Sequence, residues 1–369
     1  MTIQTRSARL EEYPQIREIL QEAFGDDEVQ LWDHLVAHDP ALTPDTIRVA
    51  LDPRGRPVAC TVVLPRTIQG PQGPVPAAVT TLVACRPELQ RRGYGGATVR
   101  DGLRQMAERG LAFSILYGEA DYYPRFGYAR VLPLYRTILP VDTPELNQVP
   151  LPEADQPLRP ATEADLPLLS GLFARHLAGY PGAVARGPEP WLWQLRKPER
   201  FALLLTRSGA PAYALVAEDR EQGLLFVYEA AADEPAAGRL LLTGLLGEAR
   251  RRGLAEVRLA TPPDHLVTRL AVLHGAEQRL QPAKHGMVAV TRWAPLLPAG
   301  YTVSGGALLR EGEPVLEAPE ASLVQLAFGY RTVDDLLLLG EARLKGDPAV
   351  LRADFPARLP KWSLAPFWM

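Results

Sequence analysis

The sequence predicts an α/β (α+β) protein built from two copies of one domain, followed by a small α+β C-terminal piece. Three observations carry this: apolar runs of strand length alternate with amphipathic helical segments, the same order of segments occurs twice, and a proline-rich stretch separates the two. Length agrees, because 369 residues that are 47% hydrophobic supply more apolar material than one core comfortably holds. The 40 basic and 43 acidic side chains leave a net charge of −3, so nothing attracts nucleic acid or an anionic membrane in general and any electropositive site must be local. With only Cys60 and Cys85, the chain is not held by a disulfide framework and fits a reducing compartment. Met1 to Tyr13 is charged rather than signal-like, and no apolar run reaches membrane-spanning length, which leads to the expectation of a cytoplasmic protein.

The elements follow in order. Ile3 to Ser7 reads as a strand, after which Ile16, Ile19, Leu20, Ala23 and Phe24 fall on one helical face. A turn at Asp52 to Pro57 leads into the strand Val58 to Leu64. Val79 to Cys85 is a further apolar strand, and Val99, Leu103 and Met106 mark the buried side of the helix after it. Prolines crowd between Pro140 and Pro160, a stretch that can hardly hold a helix or central strand. The second copy then opens with Leu158 and Arg159, a capping box at Thr162 to Asp165, and a helix burying Leu166, Leu169, Leu172, Phe173 and Leu177. Arg109-Gly110-Leu111-Ala112 matches Arg252-Gly253-Leu254-Ala255, each closing a helix and opening a strand. Chance similarity among common turn residues could produce any one match; several in the same order favour duplication. The boundaries are 1–150, 151–297 and 298–369, the last holding a hairpin about Gly312 and short helices at Ala321 to Phe328 and Val333 to Leu339.

The chemistry lies between Val79 and Arg109. A strand followed by the glycine turn Gln90-Arg91-Arg92-Gly93-Tyr94-Gly95-Gly96 and a helix start offers free backbone N–H groups aligned with the positive end of the helix dipole. Glycines at 93, 95 and 96 would let a pyrophosphate approach the backbone, with charge from Arg86, Arg91 and Arg92 nearby. No GxxxxGK[ST] and no dinucleotide-type GxGxxG is present, and a plain helix-start turn is the bland alternative. The pattern Gln90, Gly93, Gly95 resembles the coenzyme A-binding motif of the GNAT acetyltransferases. Downstream, Tyr123-Pro124-Arg125-Phe126-Gly127-Tyr128 looks like the family's Tyr-x-Arg-Phe-Gly-Tyr segment, correctly ordered and spaced.

The whole arrangement is similar to the Eis-like branch of that superfamily. This implies two tandem GNAT domains with mixed, mostly antiparallel sheets, a sterol carrier protein-like C-terminal domain, here short, and trimers or hexamers. Acetyl-CoA would be the co-substrate, with no metal, no nucleic acid and no membrane partner. The resemblance further implies cofactor contacts from Val83, Ala84 and Cys85, from Arg91, Arg92, Gly93, Tyr94, Gly95 and Gly96, and from Gly118 and Glu119. The N–H groups of Val83 and Cys85 would hold the oxyanion where this strand splays from its neighbour.

Acetyl transfer to an amine requires a proton acceptor, because an alkylamine of pKa near ~10.4 is almost wholly protonated at neutral pH, and a donor for the departing thiolate. Tyr123 stands where the family's catalytic tyrosine stands, with Tyr122 its competitor. Many GNAT enzymes carry a carboxylate on the strand before the pyrophosphate loop; Val79 to Cys85 offer none. Eis-like enzymes are thought to use their own C-terminal carboxylate, which points to Met369 as the base, with Glu119 as the alternative and a tail that merely packs as the bland reading. Asp26 and Asp27 lie near where the branch keeps acidic substrate contacts, or they are a solvated helix-end loop. The acceptor is then a primary amine, on an aminoglycoside-like small polyamine or a lysine side chain; a non-catalytic acyl-CoA-binding scaffold or sensor is the competing class. In the second copy Asp233, Glu234 and Pro235 replace the glycine turn, which would repel a pyrophosphate and remove an amide donor. His34 and His38, four apart, lack a third metal ligand and read as packed or exposed histidines.

Overall fold

A computed structural model describes residues 3–142, 158–195, 201–206 and 209–356; the proline-rich boundary between 143 and 157 and the tail carrying Met369 lie outside the described residues. The fold is mixed α/β, with sheets of mostly antiparallel strands. Two compact units divide the chain: Met1–Leu132 with the described residues from Ala283 onward, and Pro133–Pro282.

The first unit begins with β1 (Thr5–Ser7), α1 (Tyr13–Phe24), α2 (Asp26–His38), β2 (Ile47–Leu51), β3 (Pro57–Gly70), β4 (Gly73–Cys85), α3 (Tyr94–Glu108) and β5 (Phe113–Tyr117). The apolar spacing of α1 buries Ile16, Ile19 and Leu20 completely, each contributing about 1.5–3 kcal/mol. Phe24, expected on the same face, is 48% exposed instead, at the last residue before Gly25, whose φ of 88° ends the helix. Strands β1 to β4 pair antiparallel in order, β3 and β4 forming a long hairpin closed at Gly70↔Gly73. β5 runs parallel to β4, which requires a crossover, and α3 is that crossover. A buried Asp101 on α3 is gripped by Arg48 of β2, whose Nε donates at 2.6 Å, and this pair fixes the helix against the sheet.

In the second unit, β6 (Ala129–Pro140) contributes its residues from 133 on. There follow β7 (Leu158–Pro160), α4 (Leu166–His176), α5 (Pro188–Leu195), β8 (Phe201–Thr206), β9 (Ala212–Asp219), β10 (Leu224–Ala232), α6 (Pro235–Arg251), β11 (Glu256–Leu259) and α7 (Leu266–Leu273). The order of pairing is β7-β8-β9-β10-β11-β6, with β10 and β11 the parallel pair. Leu241, Leu242, Leu245 and Leu246 of α6 pack into one core with β9, β10 and β11.

The chain then enters β12 (Glu277–Val290), whose residues Gly286–Val290 pair antiparallel with β5. The first unit's sheet is therefore β1-β2-β3-β4-β5-β12, the same plan as the second, and it is completed by a strand from a later run of sequence. The remainder forms a four-stranded antiparallel sheet of β13 (Tyr301–Ser304), β14 (Ala307–Arg310), β15 (Glu313–Glu317) and β16 (Arg343–Leu344), with α8 (Glu320–Ala327), α9 (Val333–Leu338) and α10 (Pro348–Asp354). It packs on the first unit through Phe328, edge-on to Phe113 at 5.2 Å, and through Gln325, which donates to the Arg130 carbonyl.

Candidate active site

Two backbone features open the first unit's sheet. β4 and β5 pair only at Ala78↔Ser114 and Val79↔Ile115. Beyond that point β4 carries a bulge: Leu82 adopts φ 48°, in the left-handed region, and the register against β3 shifts between Cys60 and Val62. The thiol of Cys60 donates to the Leu82 carbonyl at 3.5 Å, giving the bulge a partner, and burial pushes that thiol up to about 12. After the bulge, Arg86 N–H donates to Val58 of β3, so by strand alternation the N–H groups of Cys85 and Val83 turn to the side where β5 has moved away. Ala84, buried, holds the strand between them.

At the end of β4 the chain makes a short turn and enters α3. Arg91 (φ 60°) and Gly93 (φ 91°) are both left-handed, and Gly93 is the residue preceding the helix. Gln90 donates to the Cys85 carbonyl, bracing the turn. Arg91 and Arg92 are exposed, Tyr94 half-buried. Arg86 is not free to reach this turn, because its guanidinium is paired with Glu22 and Glu18 of α1. Two of the glycines have neighbours of their own: a Cβ on Gly95 would lie 3.2 Å from the Tyr122 hydroxyl, and one on Gly96 would lie 3.1 Å from the Phe126 ring. They admit the tyrosine segment as well as leaving the helix start open.

That segment is built from side chains with distinct jobs. Tyr128 is a brace, its hydroxyl hydrogen-bonded with Ser114 of β5 at 2.6 Å and donating to Thr80 of β4 at 3.3 Å, where the two strands still pair. Arg125 lies 4.0 Å over the Tyr122 ring. Tyr123 packs edge-on to both Tyr122 and Tyr128, in one cluster with Val99, Leu116 and Met287. Its ring occupies the space a side chain at Gly118 would need, 2.3 Å from the ideal Cβ position. Among the described residues its hydroxyl makes no hydrogen bond. Burial, with the nearby Tyr128, Tyr122 and Glu119, pushes the Tyr123 phenol up, so it stays protonated at neutral pH and can donate. Tyr122 is pushed up by burial and opposed by Arg125. Cys85 is half-buried, its thiol raised by burial against a hydrogen bond from Gly95 N–H.

The structure thus brings Val83, Ala84, Cys85, the turn from Arg91 to Gly96, Gly118 and Tyr123 to one end of the first unit's sheet. Glu119 is exposed beside them. Asp26, at the start of α2, is exposed and accepts from Gln21; the side chain of Asp27 and all of Met369 lie outside the described residues. No group of three or more His, Cys, Asp or Glu that could hold a metal occurs among the described residues. Helices long and apolar enough to cross a membrane are likewise absent among them.

Sequence reasoning missed three features. The bulge at Leu82 has no signature, since leucine has no preference for positive φ. His285, on β12, meets Gly118 across the sheet, a pairing 167 residues apart. In the second unit, β10 carries a matching bulge between Val227 and Glu229, and Glu229 is fully buried, held by both guanidinium nitrogens of Arg186 and by the Tyr213 hydroxyl. Arg186 in turn lies over Phe173 and Trp191, so this copy fills its own interior with an internal ion pair. Asp233 is taken up by Arg175 and His176.

A family model described as an acetyltransferase (GNAT) domain matches residues 4–131. No curated protein matches the sequence. Among solved structures, a GCN5-related N-acetyltransferase from Anabaena variabilis is 16% identical, covering 98% of this chain and 99% of its own, with a TM-score of 0.74. A conserved protein from Enterococcus faecalis is 15% identical, covering 98% of both chains, with a TM-score of 0.76. Eis1 from Mycobacterium abscessus is 18% identical, covering 98% of this chain and 99% of its own, with a TM-score of 0.67. These likenesses establish a shared fold over nearly the full chain. Taken with the opened β4–β5 pair and the glycine turn before α3, the family match makes residues 4–131 an acetyltransferase domain of the GNAT type.

Proposed function

We propose that the protein transfers the acetyl group of acetyl-CoA directly to a primary amine, on an aminoglycoside-like small polyamine or a lysine side chain. The observation that carries this reading is the Tyr123 hydroxyl, without a hydrogen-bond partner among the described residues and packed over Gly118 at the end of the sheet where β4 and β5 have parted. In this reading the N–H groups from Arg91 to Gly96, with the charges of Arg91 and Arg92, hold the diphosphate, and Tyr94 flanks it. Val83, Ala84 and Cys85 pair with the pantetheine arm, their outward N–H groups polarising the thioester carbonyl, while Gly118 and Glu119 line the opposite wall. Tyr123 protonates the departing thiolate. The Met369 carboxylate receives a proton from the amine, and Asp26 and Asp27 attract the polycation. The likeness to Eis1 supports an Eis-like organisation: a catalytic domain at 1–150, a degenerate second domain at 151–297 that serves structurally, and a short sterol carrier protein-like piece at 298–369, in a cytoplasmic homo-oligomer. The pairing of Glu229 with Arg186 favours a structural second domain, since its interior is already filled.

The test is thiol release from acetyl-CoA across kanamycin, spermidine and an Nα-blocked lysine, with Tyr123→Phe as control. Turnover with at least one amine, lost in the variant, is expected. Tight acetyl-CoA binding with no turnover on any amine would replace the enzyme by a sensor. Appending residues after Met369 tests the base separately: full activity with an unchanged fold would reject it.

A further inference from the structure

We propose that His285 takes the first proton from the acceptor amine in this site, a role that rests on the acetyl-transfer reading above. The argument begins with a gap in the proton accounting. An ammonium group must lose two protons to become an amide nitrogen, one before it attacks and one as the tetrahedral intermediate forms. A carboxylate is a weak acceptor for the first, since carboxyl groups titrate some six units below an alkylammonium; an imidazole is about two units closer. β4 supplies no base at all, as Val79 to Cys85 carry no ionisable group other than the Cys85 thiol, which burial raises.

His285 has the required position. β12 pairs with β5 in the register Gly286↔Tyr117, and Gly118 N–H donates to the His285 carbonyl at 3.0 Å, so His285 lies opposite Gly118. Residues opposite one another in an antiparallel pair share a face. That face is the one on which Tyr123 fills the space above Gly118. The row is continuous: Met287 and Ala289, the following residues on this side of β12, pack in the same cluster as Tyr123. His285 is the next step of that row, half-buried, at the open end of the strands.

Its chemistry is set by its partner. Nδ1 lies 3.1 Å from the Gly118 carbonyl oxygen. A carbonyl only accepts, so Nδ1 carries the hydrogen, and the neutral ring must present its lone pair at Nε2. The groups on the surrounding elements are Tyr117, Glu119 and Tyr123 from β5 and the loop after it, Lys284 from β12 on the opposite face, Arg100 of α3 over the Phe126 ring, and Tyr330, whose hydroxyl accepts from Ala283 N–H.

The step balances. Nε2 takes a proton from the ammonium; the freed nitrogen lone pair forms the C–N bond to the thioester carbonyl carbon. The intermediate loses its second nitrogen proton to water, the C–S bond breaks, and the sulfur takes the Tyr123 proton. Of the two protons removed from nitrogen, one restores Tyr123 through water and the other is released.

The test is kcat/KM against pH from 5.5 to 9.5 for the fastest amine of the panel, in the wild type and in His285→Gln, whose amide keeps a donor for Gly118. The wild type should show an acidic limb beyond that due to the amine. The variant should lose that limb and about 100-fold of its rate at pH 7, with acetyl-CoA affinity and melting temperature retained. Added imidazole should restore part of the rate to His285→Ala. A wild-type profile without the limb, or an active His285→Gln with the wild-type profile, overturns the proposal, and the first of these does not depend on how a variant folds. Absence of wild-type turnover on every amine is a different result: it removes the acetyl-transfer reading itself, and this role with it.

Discussion

Gly118→Ala probes the seat of Tyr123 without touching its hydroxyl. The new Cβ would lie 2.3 Å from Tyr123 Cε2, 3.1 Å from Cδ2 and 3.2 Å from Cζ. Ordinary contact begins at 3.4 Å, so the ring must retreat by roughly 1 Å. Tyr122, Tyr128, Val99 and Met287 surround it, and such overpacking costs about 1–3 kcal/mol of stability. The larger effect falls on rate. A reacting group displaced by about 1 Å loses on the order of 100-fold. Thiol release from saturating acetyl-CoA should therefore fall about 100-fold in Gly118→Ala. Tyr123→Phe alone should cost about 100-fold or more, and adding Gly118→Ala to it should cost little further, because the hydroxyl that was misplaced is already gone. Wild-type kcat in Gly118→Ala, or losses that multiply in the double variant, would refute a donor role for Tyr123.

Other variants address the frame around the site. Asp101→Ala strands the buried Arg48 guanidinium and should lower stability by about 3–5 kcal/mol in urea titration; a change under about 1 kcal/mol would mean the pair does not anchor α3. Gly93→Ala forces an alanine to φ 91° before α3, so acetyl-CoA should bind about tenfold more weakly, and unchanged affinity would remove this turn from the binding site. In the second unit, burial first and His176 second lower the His265 pKa to about 4. Below about pH 6.5 the unfolded chain takes up a proton that the folded chain refuses, so the contribution is complete above that value and is lost as pH falls through about 4. The loss reaches about 3 kcal/mol, visible in urea midpoints between pH 7.5 and 4, and His265→Asn should flatten that slope.

The parts of this protein legible in its sequence are those governed by local rules. The capping box at Thr162–Asp165, the helix face of Leu169, Leu172 and Phe173, and the helix-ending glycines 110 and 253, at φ 73° and 70°, each follow from a few neighbouring residues. The glycine turn was legible for the same reason, although only Gly93 is required by its backbone angle, while Gly95 and Gly96 answer to Tyr122 and Phe126. Long-range partners were not legible. Nothing in Glu277–Val290 announces that its end joins β5, because an apolar strand reads alike on any sheet, and so the opposition of His285 to Gly118 was hidden. Arg86 looked like a phosphate contact because sequence distance concealed Glu18 and Glu22. Glu229 is neutralised by Arg186, 43 positions away, a partnership that the neighbours of neither residue announce.

A crystal structure of the protein with bound acetyl-CoA bears most directly on the central claim. The account predicts diphosphate oxygens within about 3 Å of main-chain nitrogens between Arg91 and Gly96, and the thioester sulfur within about 3.5 Å of the Tyr123 hydroxyl. A diphosphate held elsewhere, or a Tyr123 hydroxyl turned away from the sulfur, would contradict it.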